Sequence, residues 1–369
     1  MSTLLPIHVL VLAPALAPVV AGSGLPTADL TSVSSQVVER IDATVRKEMK
    51  APGAVGLSVA VALGDEIVLA RGYGLADVEH GVEAHADTTF RIGSITKQFT
   101  SAAIMRLAER DELVVDEDMH AYLPDYPETE HVITLRHLMT HTSGIRGYTD
   151  LGPVFWNVAN RDLDHKSMVA LFADLPLQFR PGTAYTYSNS GYYLLGMILE
   201  EVSGKSYDEL LEDLFFEPLG LDTMRYGSFV DIIPNRAQGY RFVDGAITND
   251  LYMSMNPPGA AGALLASAED LVKWQLALVG GDVVSSGTYE EMTTPFMFED
   301  LRESNYGLGL DLNDIAGRPA VSHGGGIFGF NSYLLHLPEE ELSVAVISNC
   351  EGFSSGQVSR AIVQALLTN

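Results

Sequence analysis

The stretch FRIGSITKQFTSAAI, residues 90–104, combines the pattern of a buried helix with two polar side chains. Ile95 and Phe99 recur at helical spacing and little in the segment is charged, so the pattern predicts a helix packed in the core. Ser94 stands at the start of this helix, and Lys97 follows one turn later on the same face. A buried ammonium is unfavourable without a partner, and a buried lysine tends to lose its proton instead. Packing alone does not explain this pair.

Two interpretations of Ser94 are open at this point. A serine at a helix N-terminus is most often a cap that accepts a backbone hydrogen bond. In the chemical interpretation, the positive end of the helix dipole favours an alkoxide, and nearby backbone N–H groups stabilise an oxyanion. A desolvated lysine near that same end loses basicity until it can accept a proton near neutral pH. The segment contains the only S-x-x-K in the chain.

The elements on either side of this helix predict an α+β fold. An amphipathic helix is predicted over residues 31–50 and a β-hairpin after it, with its turn at residues 63–66. Short helices and loops are predicted for residues 111–250, and a further helix starts at the N-cap Ser267. Three extended runs are predicted near the end of the chain, AVSHGG (320–325), IFGFNSYLLHL (327–337) and ELSVAVISN (341–349), and a closing helix from Ser355 to Leu367 follows them.

This order indicates one antiparallel sheet built from both ends of the chain and flanked by the N- and C-terminal helices. A helical subdomain is inserted within about residues 95–300. We expect one catalytic domain over residues 31–369 with two lobes, and a functional site in the cleft between them.

The amino-acid composition limits which binding partners and sites can be expected. The 369 residues carry 48 Asp and Glu against 22 Lys and Arg, a formal net charge of −26, so a nucleic-acid partner is not expected. Cys350 is the only cysteine, which excludes an intrachain disulfide and a zinc site built on thiolates. The sequence gives no indication of the oligomeric state.

The N-terminus resembles a secretory signal peptide. It is apolar from Leu4 to Ala21 and ends in small residues, which predicts a signal peptide over residues 1–21 and a periplasmic or secreted protein. No Lys or Arg precedes the apolar run, and Pro6, Pro14 and Pro18 interrupt it, so an N-terminal tail is the alternative. These prolines and the shortness of the run argue against a transmembrane segment.

A second polar motif is Tyr187-Ser188-Asn189, just before a helix predicted from about Gly191 to Val202. Asn189 or Ser190 would cap that helix if the motif is only structural. In a functional interpretation, Tyr187 transfers a proton and Asn189 contacts the substrate.

The third motif is His323-Gly324-Gly325-Gly326, at the end of an extended run. Glycines in such a place usually indicate a bend or a bulge. They also allow a substrate to approach the backbone and leave an N–H free for an oxyanion hole.

The order of the three motifs, Ser-x-x-Lys, Tyr-x-Asn and His-x-Gly, resembles the serine β-lactamase and penicillin-binding DD-peptidase superfamily. It is most similar to the class C-like branch, which includes class C β-lactamases, D-Ala-D-Ala carboxypeptidases, D-aminopeptidases and related carboxylesterases. The stretches TLRHLMTHTSGI (134–145) and GALLASAEDLVKW (262–274) are also similar to that branch. The resemblance covers about residues 31–369 and implies a β-lactamase/transpeptidase-like fold.

The resemblance also implies roles for individual residues. Ser94 would be the nucleophile, and Lys97, Tyr187 or both would take its proton. The N–H groups of Ser94 and Gly326 would form the oxyanion hole. The residues expected to contact the substrate are Asn189, His323 and Gly325. Neither a metal nor a cofactor is needed for this chemistry.

The third motif departs from the family pattern at two positions. Gly324 stands where the family commonly has a Thr or Ser hydroxyl that binds a substrate carboxylate, and His323 replaces a permanent cation. Both changes should weaken recognition of a carboxylate. We therefore expect a serine hydrolase acting through an acyl-enzyme on amides or esters, such as peptides of D-amino acids, with a small-molecule or peptide substrate.

Three alternatives stay open. A carboxylesterase or a weak β-lactamase would use the same fold and residues, whereas a non-catalytic relative would bind peptidoglycan-like ligands or a partner. Residues in the loop 146–165, among them Tyr148 and Trp156, are candidates for lining the substrate pocket or for packing.

Two other motifs do not fit their usual chemistry. A G-x-S-x-G at residues 352–356 lacks the Asp or Glu and the His that a nucleophile elbow needs after Ser354. His137 and His141 have the spacing of zinc ligands on a helix, but Leu138 stands where that motif has Glu. A structural role for both histidines is the prediction.

Overall fold

A seven-stranded antiparallel sheet forms the centre of the molecule and contains strands from both ends of the chain. The structure, a computed structural model, describes residues 30–368, so the predicted signal peptide lies outside the described residues. The strands in chain order are β1 Gly56–Leu63, β2 Glu66–Asp77, β3 Val82–Glu83, β4 Phe90–Arg91, β5 Arg225–Tyr226, β6 Tyr240–Val243, β7 Ala246–Asn249, β8 Leu264–Ala266, β9 Asp311–Ile315, β10 Arg318–Ile327, β11 Phe330–Leu337 and β12 Leu342–Ser348.

The order of strands across the central sheet is β3-β2-β1-β12-β11-β10-β9. The hairpin β1–β2 confirms the predicted one, and β1 pairs with β12 in an antiparallel register that sets Leu57 opposite Ser348. Strands β4, β8 and β5 form a small second sheet, and β6 and β7 form a hairpin. The antiparallel α+β architecture predicted from the sequence is confirmed.

Helices cover both faces of the central sheet. They are α1 Leu30–Glu48, α2 Thr96–Glu109, α3 Leu135–Met139, α4 Pro153–Trp156, α5 His165–Val169, α6 Asn189–Ser203, α7 Tyr207–Leu211, α8 Glu217–Leu219, α9 Gly259–Gly262, α10 Ala268–Gly280, α11 Ser286–Met292 and α12 Ser355–Leu367. None of the helices in the described part of the chain combines the length and apolar character needed to cross a membrane.

Successive residues of a strand point to opposite faces of the sheet, so each face of the central sheet has its own hydrophobic core. Val59 and Val344 belong to the core that α1 and α12 cover, and Ile362 of α12 is fully buried there. Ala60 and Ala345, the next residues along their strands, face the other core, which contains the buried residues of α2, α6 and α10. The candidate site lies on the side of the second core.

Several details differ from the sequence prediction. The helix bearing Lys97 starts at Thr96, and Ser94 lies before it on a 3₁₀ turn, Gly93–Ile95. Helix α6 is capped by Ser188, whose side chain accepts from Gly191 N, rather than by Asn189 or Ser190. The predicted N-cap Ser267 is confirmed.

Strands also differ in two places. Residues 111–250 contain β5, β6 and β7 as well as helices, because short strands with an exposed face have little hydrophobic pattern. The second of the three predicted C-terminal runs starts too early, since the turn between β10 and β11 falls at Phe328-Gly329, where Gly329 has φ +83°.

Candidate active site

The Ser94 turn is held against the edge of strand β10. Gly93 has φ +51°, and a Cβ there would lie 2.9 Å from the nitrogen of Gly326. Only glycine therefore fits between the turn and the strand. Helix α2 has Ile95 as its N-cap residue and no side-chain cap, so Ser94 does not serve as the cap of this helix. Its hydroxyl instead lies beside Lys97 and Tyr187.

Lys97 is completely buried, and its Nζ has three polar neighbours. It lies 3.1 Å from Ser94 Oγ, 2.8 Å from Asn189 Oδ1 and 2.7 Å from the carbonyl oxygen of Ala261. The burial holds the pKa of Lys97 well below its usual value. No carboxylate forms an ion pair with Lys97 among the described residues, so nothing offsets this effect.

The neighbours of Lys97 fix where its lone pair points. A neutral amine has two N–H bonds and one lone pair. The carbonyl of Ala261 and Oδ1 of Asn189 can only accept, so they take the two N–H bonds. The lone pair is left facing Ser94 Oγ, and this is the arrangement of a base ready to receive a hydroxyl proton.

Tyr187 approaches the same hydroxyl from the start of helix α6. It hydrogen-bonds with Ser94, and its ring centroid lies 4.7 Å from Lys97 Nζ. Burial raises the pKa of Tyr187 well above its usual value, and the hydrogen bond with Ser94 only partly opposes this. The phenol thus keeps its proton at neutral pH and can donate it, whereas burial favours the neutral amine form of Lys97.

Asn189 is oriented by two neighbours. Its Oδ1 accepts from Lys97, and its Nδ2 donates to Thr149 Oγ1 at 3.1 Å. The loop that carries Thr149 is also held to helix α6 through Ser190, whose Oγ accepts from Tyr148 N. The predicted residues Ser94, Lys97, Tyr187 and Asn189 are therefore brought together.

The glycines of the third motif have different surroundings. A Cβ on Gly325 would lie 2.0 Å from the carbonyl oxygen of Ile92, so this glycine allows β10 to contact the Ser94 turn. Gly326 is exposed, and a Cβ there would have no atom within 4 Å. Strand β9 pairs with β10 only as far as Ser322, which leaves the β10 edge beside the turn without a strand partner. Gly326 lies where the resemblance places the second oxyanion donor.

His323 lies beneath the pocket rather than in its wall. It is 2% exposed, its Nδ1 donates to the carbonyl oxygen of Gly324 at 2.7 Å, and its Nε2 accepts from the hydroxyl of Tyr306 at 2.8 Å. Burial, assisted by Lys97, lowers the pKa of His323 to about 3. Neither nitrogen is free for a substrate. The substrate contacts expected of His323 and Gly325 have no counterpart in this geometry and stay predictions.

His141 contacts the predicted site residues, which the sequence did not indicate. Helix α3 ends at Met139, so His141 is not on one helix face with His137. Its Nδ1 accepts from Ser188 N at 3.1 Å, and its ring centroid lies 4.2 Å from that of Tyr187. The proton must be on Nε2, which is buried and has no hydrogen-bond partner. The left-handed backbone of His141, φ +59°, is an uncommon conformation for a residue other than glycine.

A pocket of about 140 Å³ opens above Ser94. Gly326, Asn189 and Glu351 contribute to its wall, as do Tyr148 and Trp156 from the loop where pocket-lining residues were expected. The Trp156 ring stacks on Phe328 at 5.5 Å and an interplanar angle of 23°, which gives one side of the pocket an aromatic surface. A larger cleft of about 620 Å³ near residues 126–131 contains none of the predicted site residues.

Within residues 30–368, no three side chains of His, Cys, Asp or Glu come together in a way that could hold a metal ion.

Comparison with known proteins finds one matching family model and several relatives. The family model described as Beta-lactamase matches residues 41–368. A D-aminopeptidase of Gluconobacter oxydans (strain 621H) is 31% identical over 318 residues, which are 85% of this chain and 59% of that protein. The chain thus spans only about three fifths of the length of that relative.

Two solved structures are similar over most of the chain. The D-amino acid amidase from Ochrobactrum anthropi SV3, complexed with L-phenylalanine amide, has a TM-score of 0.79 and 25% identity, and the match covers 90% of this chain and 98% of that one. The octameric penicillin-binding protein homologue from Pyrococcus abyssi has a TM-score of 0.75 and 28% identity, with 92% and 77% covered.

Proposed function

Because the chain belongs to the beta-lactamase family, we propose that it is a serine hydrolase that forms an acyl-enzyme on Ser94 and cleaves amides or esters of D-amino acids. The observation that carries the proposal is the position of Lys97: a buried amine with both N–H bonds occupied and its lone pair directed at Ser94 Oγ. No structural role requires that arrangement, and its burial is unfavourable for stability.

Acylation follows from the proton positions. The oxygen of Ser94 attacks the substrate carbonyl while its proton moves to Lys97 Nζ. The carbonyl oxygen becomes an oxyanion, which the N–H groups of Ser94 and Gly326 stabilise. Asn189 donates its Nδ2–H or accepts through Oδ1 at the acyl side of the substrate. In this proposal Lys97 has the role of base, because its lone pair faces Ser94 Oγ whereas Tyr187 keeps its proton.

The second half of acylation uses Tyr187. The tetrahedral intermediate breaks its bond to the leaving nitrogen or oxygen, and the Tyr187 hydroxyl gives that atom a proton. The ammonium of Lys97, beside the Tyr187 ring, then returns a proton to the phenolate. Both residues end the step in the protonation states in which they began it.

Deacylation repeats the sequence with water as the nucleophile. Water attacks the acyl carbonyl, its proton passes to Lys97, and the bond between the carbonyl carbon and Ser94 Oγ breaks. Ser94 recovers its proton, and the carboxylic acid leaves. Apart from this water molecule, only groups of the chain and the substrate take part in the proposed reaction.

The names of the relatives support amides of D-amino acids as the first substrates to test. The Gluconobacter oxydans relative is a D-aminopeptidase and the Ochrobactrum anthropi neighbour a D-amino acid amidase. The neutral, covered His323 and the missing hydroxyl at Gly324 disfavour a substrate held by its carboxylate.

The test measures ammonia release from D- and L-phenylalanine amide, hydrolysis of p-nitrophenyl acetate, and the mass of the intact protein after incubation with the ester. Ser94→Ala should abolish turnover and the acetyl adduct, whereas Ser286→Ala, an exposed serine on helix α11, should retain both. Turnover that survives Ser94→Ala would refute the proposal. A folded wild type that hydrolyses neither the amides nor the ester would also refute it and would favour a binding protein.

We also propose that the protein is exported, which is supported by the apolar segment from Leu4 to Ala21. Expression of the full chain in a Gram-negative host should yield a protein in the periplasm or medium whose mass lacks residues 1–21. Full-length protein confined to the cytoplasm would contradict export.

A further inference from the structure

Two aromatic rings close one side of the pocket above Ser94. Trp156 is the last residue of helix α4, and Phe328 lies in the turn between β10 and β11, so the two rings come from segments far apart in the chain. Both residues line the pocket, and their ring centroids lie 5.5 Å apart at an interplanar angle of 23°. Rings at this separation pack against each other, so the wall has no gap between them through which a substrate chain could pass.

The position of Phe328 is set by the turn that carries it. Gly329 has φ +83°, and a Cβ on this residue would lie 2.6 Å from Cα of Gly239, so the turn packs directly on a second segment of backbone. Ile327 and Phe330, which flank the turn, pair with each other across the hairpin. Phe328 therefore projects from an anchored end of the central sheet.

Trp156 is held by buried aromatic residues on its other side. Its ring lies 4.8 Å from the ring of Phe155, and Phe155 lies 4.8 Å from the ring of Tyr148. Phe155 is fully buried, and Tyr148 is nearly so. The two rings of the stack are thus fixed from separate elements, and together they form a defined boundary of the pocket.

The space inside this boundary is small. The pocket has a volume of about 140 Å³, and Tyr148, Met253 and Ile327 add further apolar surface to its wall. A cavity of about 150 Å³ holds one benzene molecule, whereas pockets for drug-sized ligands start at about 300 Å³. The pocket therefore has room for a single ring or a short chain.

The lining residues indicate which part of the substrate enters the pocket. Asn189, which contacts the acyl side of the substrate in the proposed reaction, lines the pocket, whereas Tyr187, the proton donor to the leaving atom, does not. We propose that the stack of Trp156 on Phe328 determines which acyl groups Ser94 accepts: groups up to about the size of a benzene ring enter, and longer chains do not. The leaving group is not subject to this limit. This inference rests on the proposed hydrolase function and specifies its acyl substrates.

The experiment compares kcat/KM for p-nitrophenyl acetate, butyrate and octanoate, which share one leaving group, in wild type, Trp156→Ala and Phe328→Ala. The octanoyl chain has more carbon atoms than benzene, so wild type should hydrolyse the octanoate at least about tenfold less efficiently than the butyrate, since misfit of even one methylene in an apolar pocket has an effect of this size. Each alanine variant opens the wall and should raise the ratio of octanoate to butyrate by at least about tenfold. Trp156→Phe, whose ring can still stack on Phe328, should keep the ratio of the wild type.

Val154→Ala is the matched control, because Val154 is exposed on the same helix α4 and does not line the pocket. It should leave all three values unchanged. A wild type that hydrolyses the octanoate as efficiently as the butyrate would overturn the size limit, and so would an unchanged ratio in both alanine variants.

Activity in the alanine variants separates the remaining outcomes. If one of them is inactive, the ratio in the other decides, and inactivity of both beside an active wild type would overturn the size limit, because the rings would then be needed for turnover of every substrate. Each of these results leaves the hydrolase proposal intact. A wild type that hydrolyses none of the esters or amides would refute the hydrolase proposal, and the size limit with it.

Discussion

Helices α2 and α12 contribute to the two cores on opposite faces of the central sheet, and they bury different kinds of side chain. Helix α12 buries Val358, Ile362 and Val363 with a few small residues, and the hydroxyl of Ser359 is satisfied by the carbonyl oxygen of Ser355. Helix α2 buries apolar residues too, but also a lysine and a glutamine. Nε2 of Gln98 is left without a hydrogen-bond partner.

The difference indicates that the residues of α12 serve stability alone, whereas those of α2 do not. A helix under only that constraint buries apolar atoms and satisfies the few polar ones, as α12 does. Helix α2 retains an amine in a place where it is destabilising, at the one point where the amine reaches Ser94. Substitutions in α2 should therefore change activity more than stability, and substitutions in α12 should change stability more than activity.

The largest effect is expected for Lys97→Met. It removes the base, so turnover of ester and amide substrates should fall by about 10²–10⁴-fold. Its effect on stability should be small, because relief of the desolvation of the amine offsets the loss of a donor for Asn189 and Ala261. Chemical denaturation should show a change of less than about 2 kcal/mol in the free energy of unfolding. A large destabilisation would show that α2 and α12 do not differ in this way.

The reverse result is expected for Ile362→Ala. This side chain is fully buried in α12, and its truncation should lower the free energy of unfolding by about 2–5 kcal/mol. Well below the unfolding transition, kcat per folded molecule should be unchanged, since Ile362 lies in the core that faces away from Ser94. Urea unfolding and steady-state kinetics on the same sample measure both quantities. A selective loss of kcat would contradict the separation.

Acid pH should lower the activity by protonating Lys97 on helix α2. The active form of Lys97 is the neutral amine, so kcat/KM for a neutral ester should be constant above the lowered pKa of Lys97 and fall as pH decreases through it. The decrease should approach about tenfold per pH unit. Because burial raises the pKa of Tyr187, the plateau should extend to alkaline pH without loss. A rate that rises on acidification would rule out Lys97 as the base.

A smaller effect is expected for His141→Asn. Asparagine tolerates the left-handed backbone of this position but removes the ring that packs on Tyr187. We expect kcat to fall by about tenfold with little change in KM, because His141 positions Tyr187 and Ser188 without contacting substrate. His137→Asn is the control, since His137 closes a capping box on α3. An equal decrease of kcat in both variants would show that His141 contributes only to packing.

The smallest effect is expected for Gly324→Thr. A Cβ at Gly324 meets only the Tyr333 ring at 3.5 Å, so the strand accepts a side chain there. The added hydroxyl should increase the rate of acylation by a penicillin about fivefold, the contribution of one hydrogen bond to its carboxylate. Turnover of p-nitrophenyl acetate, which lacks a carboxylate, should be unchanged. An equal increase for both reagents would indicate a general effect on Ser94.

Much of the fold was predictable because its elements repeat a local pattern. Helix α12 has the predicted bounds, Ser355 to Leu367, since its apolar residues recur at helical spacing along this whole segment. The hairpin β1–β2 was predictable from β-branched runs around a Gly-Asp turn. Strand β9 was not predicted because three of the five residues in its sequence, DLNDI, are polar and only Ile315 is buried.

The site was predictable only in part, for a different reason. Ser94, Lys97, Tyr187 and Asn189 belong to motifs whose spacing is local, and the structure brings them together. The contacts of His141 and Glu351 are long-range, and each residue lies just after a helix or strand has ended, where no periodicity shows which way a side chain points. Only the fold sets His141 beside Tyr187 and Glu351 above Ser94.

The pairing of β1 with β12 has a consequence for how the chain is made. On the ribosome, β1 and β2 emerge early, but the strand that pairs with the other edge of β1 is the last of the sheet to be synthesised. Until then the nascent hairpin presents an open edge of Leu57, Val59 and Val61, a surface prone to pairing with other chains. Nascent chains of this protein should therefore depend on chaperones that cover apolar strands, and the Ser94 turn should become competent only after β10 and β12 have joined the sheet.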